Sequence, residues 1–322
     1  MKAIVTDRYG SPDVLRLEEV PTPVPKPGQV LVKVHAAAAN PADWHLLRAD
    51  PAFVRLMFGF RKPKFRVLGA DIAGRVEAVG NGVAGLRVGD EVFGDLAGSG
   101  WGAYAEYVCV PEGVVVPKPK NLTFEQAASL PLAAGTAVQG LRDVGKVRPG
   151  SKVLIIGASG GVGTLAVQIA KVLGAEVTGV CSTRNVEMVR SLGADRVVDY
   201  TREDVVAGGV QYNAIFSLAG HRSIFDYRRI LASHGIFVNA GGENGPLYQA
   251  AFLAPFVSLA GDKKFAMCVA KPNRADLEYI RDLCEAGKLK PVIDRRYSLR
   301  EVPDAIRYIE TGRARGKVVI TF

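Results

Sequence analysis

Cysteine is scarce in this chain: there are four in 322 residues, Cys109, Cys181, Cys268 and Cys284, far apart and with no C-x-x-C pair. That spacing excludes a disulfide framework and leaves reduced, mostly buried thiols. Long apolar runs are missing as well. The longest, AAFLAPFVSLAG at 250–261, is too short to cross a bilayer and contains Pro255, so no membrane insertion is expected. No cationic segment followed by an apolar run opens the sequence, and a cytoplasmic location is the expectation. Internal repeats and low-complexity tracts are absent too.

Lys and Arg exceed Asp and Glu by nine, but they are dispersed and accompanied by no nucleic-acid reader motif, so no nucleic-acid partner is expected. An anionic cofactor or substrate accounts for part of the excess. The one dense basic cluster, Arg61, Lys62, Lys64 and Arg66, follows the apolar stretch PAFVRLMFGF. It reads either as a patch for a membrane surface or partner, or as a solvated loop edge beside an apolar site lid.

The 48% hydrophobic and 23% charged fractions describe a folded chain, and its length exceeds the usual single core, so two domains are expected. The most informative segment is KVLIIGASGGVG at 152–163. An apolar strand runs into a glycine-rich turn, and the segment behind it, TLAVQIAKVLGA, has apolar residues at helical spacing. Glycines let the backbone approach a pyrophosphate, while the free N–H groups and positive dipole of the following helix favour the anion. Ser159, Gly160, Gly161, Val162 and Gly163 are the candidate cradle, and a side chain on Gly160 or Gly163 is expected to block the approach. Strand, turn, helix and next strand (Glu176 to Val180) occur in the order a dinucleotide site requires.

Character changes near residue 122. Before it, short runs such as AIV, VLVKVHA, GRVEAVG and EYVCV are separated by Gly and Pro, the pattern of an antiparallel, barrel-like domain. After it, strands alternate with amphipathic helices. Strands at 152–156, 176–180, 196–199, 212–217, 235–239 and 264–269 predict an α/β fold with a doubly wound, six-stranded parallel sheet of Rossmann type. The tail, VIDRRYSL, a short helix near 302–311 and a last strand KVVITF, fits the first domain and makes it discontinuous. The expected domains are 1–122 with 271–322, and 123–270.

Beyond the cradle, the blocks ANPADWH (39–45), GADIAGRVEAVG (69–80), VGDEVFG (88–94), AYAEYV (103–108), LPLAAGTA (130–137) and LGADRVVDY (192–200) follow one another. With them the chain resembles the medium-chain dehydrogenase/reductase superfamily, in its zinc-free branch of zeta-crystallin-like quinone oxidoreductases, over nearly the whole length. The resemblance implies a GroES-like β-barrel catalytic domain, a dinucleotide-binding domain, an active site in the cleft between them, and a homodimer. Zinc-dependent relatives place a Cys where this chain has Asn40, a His-Glu pair where it has Ala70 and Asp71, and a Cys within Leu130 to Ala134. None of these is retained, and three protein donors are needed, so no metal is expected.

An NAD-specific site carries an acid about 20 positions past the glycines, on the ribose hydroxyls. Here that stretch reads Val180, Cys181, Ser182, Thr183, Arg184, Asn185. Two hydroxyls and a guanidinium suit a 2′-phosphate, so NADPH is the expected cofactor. Ser182 or Thr183 could equally cap the next helix with Arg184 solvated. The resemblance adds Tyr200 beside the phosphate and, at the nicotinamide end, Thr136, Leu218, Ala240, Gly241 and Phe265, the strand-end residues among them falling where parallel sheets bind ligands.

Without a metal, charge developing on the acceptor oxygen must be met by hydrogen-bond donors. The resemblance places Asn40, Asp43 and His45 under the nicotinamide. Asn40 can donate through its amide, His45 can donate or shuttle a proton, and Asp43 orients its neighbours. Asn40-Pro41 as a turn, Asp43 as a cap and His45 as a satisfied imidazole are the plain alternatives. The sequence therefore predicts an NADPH-dependent reductase of a small apolar quinone or α,β-unsaturated carbonyl. A metal-free NADP-dependent alcohol dehydrogenase or ketone reductase, and a non-catalytic NADPH-binding protein, are the competing readings.

Overall fold

The computed structural model describes residues 1–220, 222–241 and 261–322. In chain order the first strands are β1 (Lys2–Val5), β2 (Arg16–Glu19) and β3 (Gln29–Ala39), followed by helices α1 (Pro41–Arg48) and α2 (Val54–Phe58). Next come β4 (Asp71–Val79), β5 (Glu91–Asp95), β6 (Tyr107–Pro111), β7 (Val115–Pro117), α3 (Phe124–Ala128) and α4 (Pro131–Val138). The alternating segment holds β8 (Lys152–Ile156), α5 (Gly161–Val172), β9 (Glu176–Cys181), α6 (Val186–Ser191), β10 (Arg196–Asp199), β11 (Tyr212–Ser217), α7 (Ile224–Ile230), β12 (Leu231–Asn239) and β13 (Lys264–Met267). The tail forms α8 (Arg274–Glu285), β14 (Ile293–Ser298), α9 (Val302–Glu310) and β15 (Lys317–Thr321).

The chain divides into two compact units, residues 1–132 with 271–322, and residues 133–270. Residues 123–132 belong to the first unit, past the boundary expected at 122. The cause is local: Phe124 stacks on His35 of β3 at 4.4 Å, and the Leu132 N–H donates to Asp71 at 2.7 Å.

In the first unit the main sheet runs β14-β15-β3-β4-β5-β7, with β6 also paired to β3. The long β3 is its axis. Val30, Val32 and Val34 point inward by simple alternation. Ala36 to Ala39, good helix formers by propensity, are instead buried in strand between β15 and β4. Small side chains let three strand ends converge there, which places the polar groups that follow.

The second unit holds a parallel sheet ordered β10-β9-β8-β11-β12-β13 among the described residues. This is the doubly wound arrangement with β8 at the switch point. Val153, Leu154 and Ile155 are fully buried, as strands covered on both faces require. Strand β12 begins at Leu231, directly after α7 and earlier than the expected 235, while β13 ends at Met267 rather than 269. Residues 250–260 and Gly242 lie outside the described residues, as does His221.

Candidate active site

The cradle lies at the carboxyl end of β8. Gly157 turns the chain with φ of +82°, and its N–H and that of Ala158 bond the Val180 carbonyl at 3.2 and 3.0 Å. Gly160 caps α5, and the Thr164 N–H is the first to bond back into the helix, to Gly160 O at 2.9 Å. The first-turn N–H groups of Gly161, Val162 and Gly163 therefore have no intrahelical acceptor and suit an anion. The two expected glycine roles differ. A Cβ on Gly163 would lie 2.1 Å from Gly157 O, so this glycine is required by the turn packing on its own helix; a Cβ on Gly160 would meet nothing nearer than 3.5 Å, leaving ligand approach as its use. The cradle fits a dinucleotide pyrophosphate.

Past β9, Ser182 caps the short turn Thr183–Asn185. Its hydroxyl accepts from Asn185 Nδ2 at 3.3 Å, and the same amide donates to Ser159 of the cradle at 3.0 Å. Thr183 does not present a free O–H: its hydroxyl donates to Asp199 at 2.6 Å. The Thr183 and Thr201 hydroxyls, with Arg202 at 3.7 Å, hold the Asp199 carboxyl below the usual carboxylate range. Sequence spacing missed this acid because it ends β10, not β9; the register Asp199 opposite Cys181 brings it alongside. Arg184 and Tyr200 are exposed.

At the ends of β11 and β12, the Leu218 N–H bonds Ile156 O at 3.0 Å and the Ala240 N–H bonds Ser217 O at 2.9 Å. Asn239, with its amide oriented to satisfy both neighbours, donates to Ser217 O and Gly241 O. Leu218, Ala240 and Gly241 are thus brought together beside the cradle strand. Phe265 is placed differently, in the sheet core against Phe237 at 5.4 Å. Thr136 is buried on α4.

In the first unit the polar residues gather where β3, β4, β5 and β15 end. Asn40 caps α1 and Asp43 completes a capping box, its Oδ2 accepting from the Asn40 N–H at 2.7 Å. Asp43 also accepts from the Tyr104 hydroxyl at 2.8 Å and the Gly69 N–H at 3.1 Å. Burial pushes its carboxyl up to about 6 against the pull of those hydrogen bonds. Asp95 is raised to about 7, by burial first and then by the neighbouring Asp71. The helix cap expected at Asp43 is instead Asn40: Asp43 is the third residue of α1 and turns its carboxyl back onto the cap's N–H, the geometry of an orienting group.

Asn40 is placed otherwise than a free donor. Its Nδ2 donates to Ala38 O at 3.2 Å and to Asp71 Oδ2 at 3.0 Å, and its Oδ1 accepts from Lys317 Nζ at 2.6 Å. Both amide hydrogens are committed within the protein. His45 Nδ1 lies 2.6 Å from the Asp50 carbonyl oxygen, which can only accept, so Nδ1 carries the proton. Burial lowers the His45 pKa, so the ring is neutral near pH 7 and Nε2 is an acceptor. Its ring stacks on Trp44 at 3.5 Å.

A catalytic zinc needs three protein donors and an open position. Asn40 Oδ1 and Asp71 Oδ2 both accept from the Lys317 ammonium, Asp71 Oδ1 accepts from the Leu132 N–H, and Ala70 has no donor atom. These residues do not fit zinc.

Of the apolar and basic stretch, Phe58 packs near Phe65 and Trp101. Phe53, Leu56, Met57 and Phe60 are exposed. Arg66 pairs with Asp7 at 2.6 Å. No described helix is long and apolar enough to cross a membrane.

A GroES-like barrel unit with a doubly wound sheet carrying a glycine cradle defines a protein of the two-domain dehydrogenase and reductase class. Residues 26–120 match the family "Alcohol dehydrogenase GroES-like domain" and residues 192–320 the family "Zinc-binding dehydrogenase". The chain is 38% identical to 2-methylene-furan-3-one reductase of Solanum lycopersicum, over 99% of this chain and 79% of that protein. It is 36% identical to the NADPH-dependent alkenal/one oxidoreductase of Arabidopsis thaliana, with the same coverage. The quinone oxidoreductase of Coxiella burnetii superposes with a TM-score of 0.90 at 34% identity, covering 100% of this chain and 99% of that one. The chain belongs to the medium-chain dehydrogenase/reductase superfamily.

Proposed function

We propose that this protein is a zinc-independent, NADPH-dependent reductase of α,β-unsaturated carbonyls or quinones. The observation that carries the reading is the similarity to an NADPH-dependent alkenal/one oxidoreductase, 36% identical over 99% of this chain and 79% of that protein. The chemistry agrees with it. NADPH, when bound, supplies a hydride, and addition to the far end of a conjugated acceptor leaves charge on a delocalised enolate or quinol oxygen. That oxygen needs less help than a localised alkoxide, so hydrogen-bond donation without a Lewis acid suffices.

In this reading residues 133–270 bind the cofactor. The α5 start and Ser159 to Gly163 hold the pyrophosphate, and Arg184, Ser182 and Tyr200 receive the 2′-phosphate. Thr183 acts one step back, through Asp199. Thr136, Leu218, Ala240 and Gly241 shape the nicotinamide end, with Phe265 supporting from the core. Residues 1–132 and 271–322 form the catalytic domain, where Asn40 and Asp43 fix the start of α1 and His45 faces the acceptor. A neutral His45 can take a proton at Nε2 but cannot give one, so solvent protonates the enolate carbon or quinol oxygen. A homodimer in the cytoplasm completes the reading.

The test is an NADPH-oxidation panel of quinones, enals, enones, aldehydes and alcohols, with metal analysis of the same preparation. Turnover of enals, enones or quinones that survives a strong chelator is expected. Efficient oxidation of simple alcohols with inert enones and quinones, or one essential zinc per chain, refutes it.

A further inference from the structure

One lysine in this fold is where lysines are rarely found. Lys317 is 3% exposed, although long charged side chains ordinarily keep their heads in water. Register explains how it gets there. Val318 pairs with Ala39 across β15 and β3, and Ala38 with Asp71 across β3 and β4, so Lys317 comes opposite Asn40 and one step from Asp71. Its Nζ donates to Asn40 Oδ1 at 2.6 Å and Asp71 Oδ2 at 2.9 Å, and Asn40 Nδ2 donates to the same Asp71 oxygen at 3.0 Å, closing a triangle.

Stability does not explain this pair. A buried ion pair is commonly no better than apolar residues of the same volume, because desolvation cancels the attraction. What the triangle does supply is geometry. Asn40 is the N-cap of α1, and the same turn carries Asp43, Trp44 and His45. Without the ammonium, the Asn40 oxygen loses its partner and the amide can turn over. The positive charge also stands among the positions that zinc-dependent relatives use for their metal.

We propose that Lys317 is a positioning residue for the reduction: its ammonium locks the Asn40 amide and the Asp71 carboxylate, and so holds the whole first turn of α1, Asn40 to His45, in the one orientation that seats the acceptor. This rests on the reductase reading above. The groups that face the ammonium are Asp71 of β4, Asp43 of α1 and Asp95 of β5, with Tyr104 on Asp43. Lys317 opposes proton uptake by Asp43 and Asp95, which gives a second readout.

The experiment compares wild type with Lys317→Met and Lys317→Arg, using NADPH with trans-2-hexenal and with 1,4-benzoquinone. Lys317→Met should lower kcat about 10- to 100-fold, the scale of a small misplacement at a reacting centre. KM should stay within about threefold and NADPH affinity within about twofold, and Lys317→Arg should recover part of kcat. The acid limb of the kcat profile should move up by about one pH unit in Lys317→Met, a shift that a merely structural role leaves out. Wild-type kcat with an unmoved limb overturns the proposal. Should Lys317→Met fail to fold, Lys317→Met with Asp71→Asn removes both charges; it must show the same kcat loss, and normal kcat overturns the assignment. If wild type binds NADPH but reduces neither acceptor, the reductase reading falls. NMR of the labelled Asn40 side-chain amide and of the His45 ring then decides on Lys317 alone: an amide that turns over and a displaced ring signal in Lys317→Met support it, and unchanged signals refute it.

Discussion

The two units meet the same physical problem, holding charge in a folded protein, by opposite means. In residues 133–270 the cradle presents backbone N–H groups at a helix start, and its charged or polar side chains, such as Arg184 and Tyr200, are exposed. In the other unit the charge is internal: Asp43, Asp71, Asp95 and Lys317 are buried and answer one another. A backbone site depends on where side chains are absent, so it tolerates little addition. A buried side-chain site depends on every partner being present, so it tolerates little removal.

The sharpest break of that contrast is Gly163→Val. Its Cβ would fall 2.1 Å from the Gly157 carbonyl oxygen, a backbone atom that cannot give way. A loss of more than about 4 kcal/mol is expected, read as loss of the cooperative unfolding transition. Gly160→Ala is the control, with nothing nearer than 3.5 Å. It should keep folding stability within about 1 kcal/mol while weakening NADPH about tenfold or more. If both variants fold and bind alike, backbone approach is not what the glycines serve.

For the buried cluster the matching experiment is removal. Asp43→Ala strips the acceptor from the Asn40 N–H, the Gly69 N–H and the Tyr104 hydroxyl at once. At about 1 to 3 kcal/mol for each orphaned buried group, partly refilled by water, a loss of about 3 to 4 kcal/mol in urea unfolding is expected. Tyr104→Phe should cost about 1 kcal/mol, since only one of the three donors goes. Equal losses from the two variants would mean that Asp43 is not the hub.

Legibility from sequence followed the same divide. The glycine turn and the parallel sheet could be read because consecutive residues build them, whereas the cap was read out of place, at Asp43 rather than at Asn40, because either residue type can fill it. Lys317 could not: it meets Asn40 across 277 positions, and only the register of β15 on β3 joins them. Asp199 was hidden for the smaller reason that neighbouring strand ends, not sequence spacing, place it on Thr183. The role expected of Asn40 changed because donors that look available in a list of residue types are already spent on Ala38 and Asp71.

Arg184→Ala probes the exposed side of the comparison. Loss of a charge-assisted contact to a 2′-phosphate should weaken NADPH by about 1.5 to 3 kcal/mol and leave NADH unchanged, measured by fluorescence titration. A parallel loss for both cofactors would place Arg184 elsewhere than on the phosphate.

The pH dependence of stability separates the units by a smaller amount. Asp43 and Asp95 have folded-state pKa values raised to about 6 and about 7 from 3.8. The native state therefore binds more protons than the unfolded chain between about pH 4 and 7, and these groups make stability fall as pH rises through that window. Asp95→Asn keeps an acceptor for the Ala97 N–H, which Asp95 Oδ1 now takes at 2.8 Å. It should flatten the fall, with a relative gain on the order of 2 kcal/mol at pH 8 over pH 5. An unchanged slope would remove Asp95 from the titrating cluster.

The smallest effect should come from His45, the residue that looked most like an acid. Its Nδ1 proton is held on the Asp50 carbonyl and its pKa is lowered by burial, so near neutral pH Nε2 has no proton to give. If solvent protonates the product, His45→Phe costs only packing and the Asp50 contact, a fall in kcat of less than about tenfold, or ~1.4 kcal/mol. The pH profile should then keep its shape, because the ring contributes no ionisation to the rate. Were His45 the acid, activity would fall as pH rises through its lowered pKa, and the Phe variant would lose both that limb and about 100-fold or more in kcat. That outcome would move the proton donor from water onto α1, and give the buried unit a direct part in the chemistry rather than a positioning one.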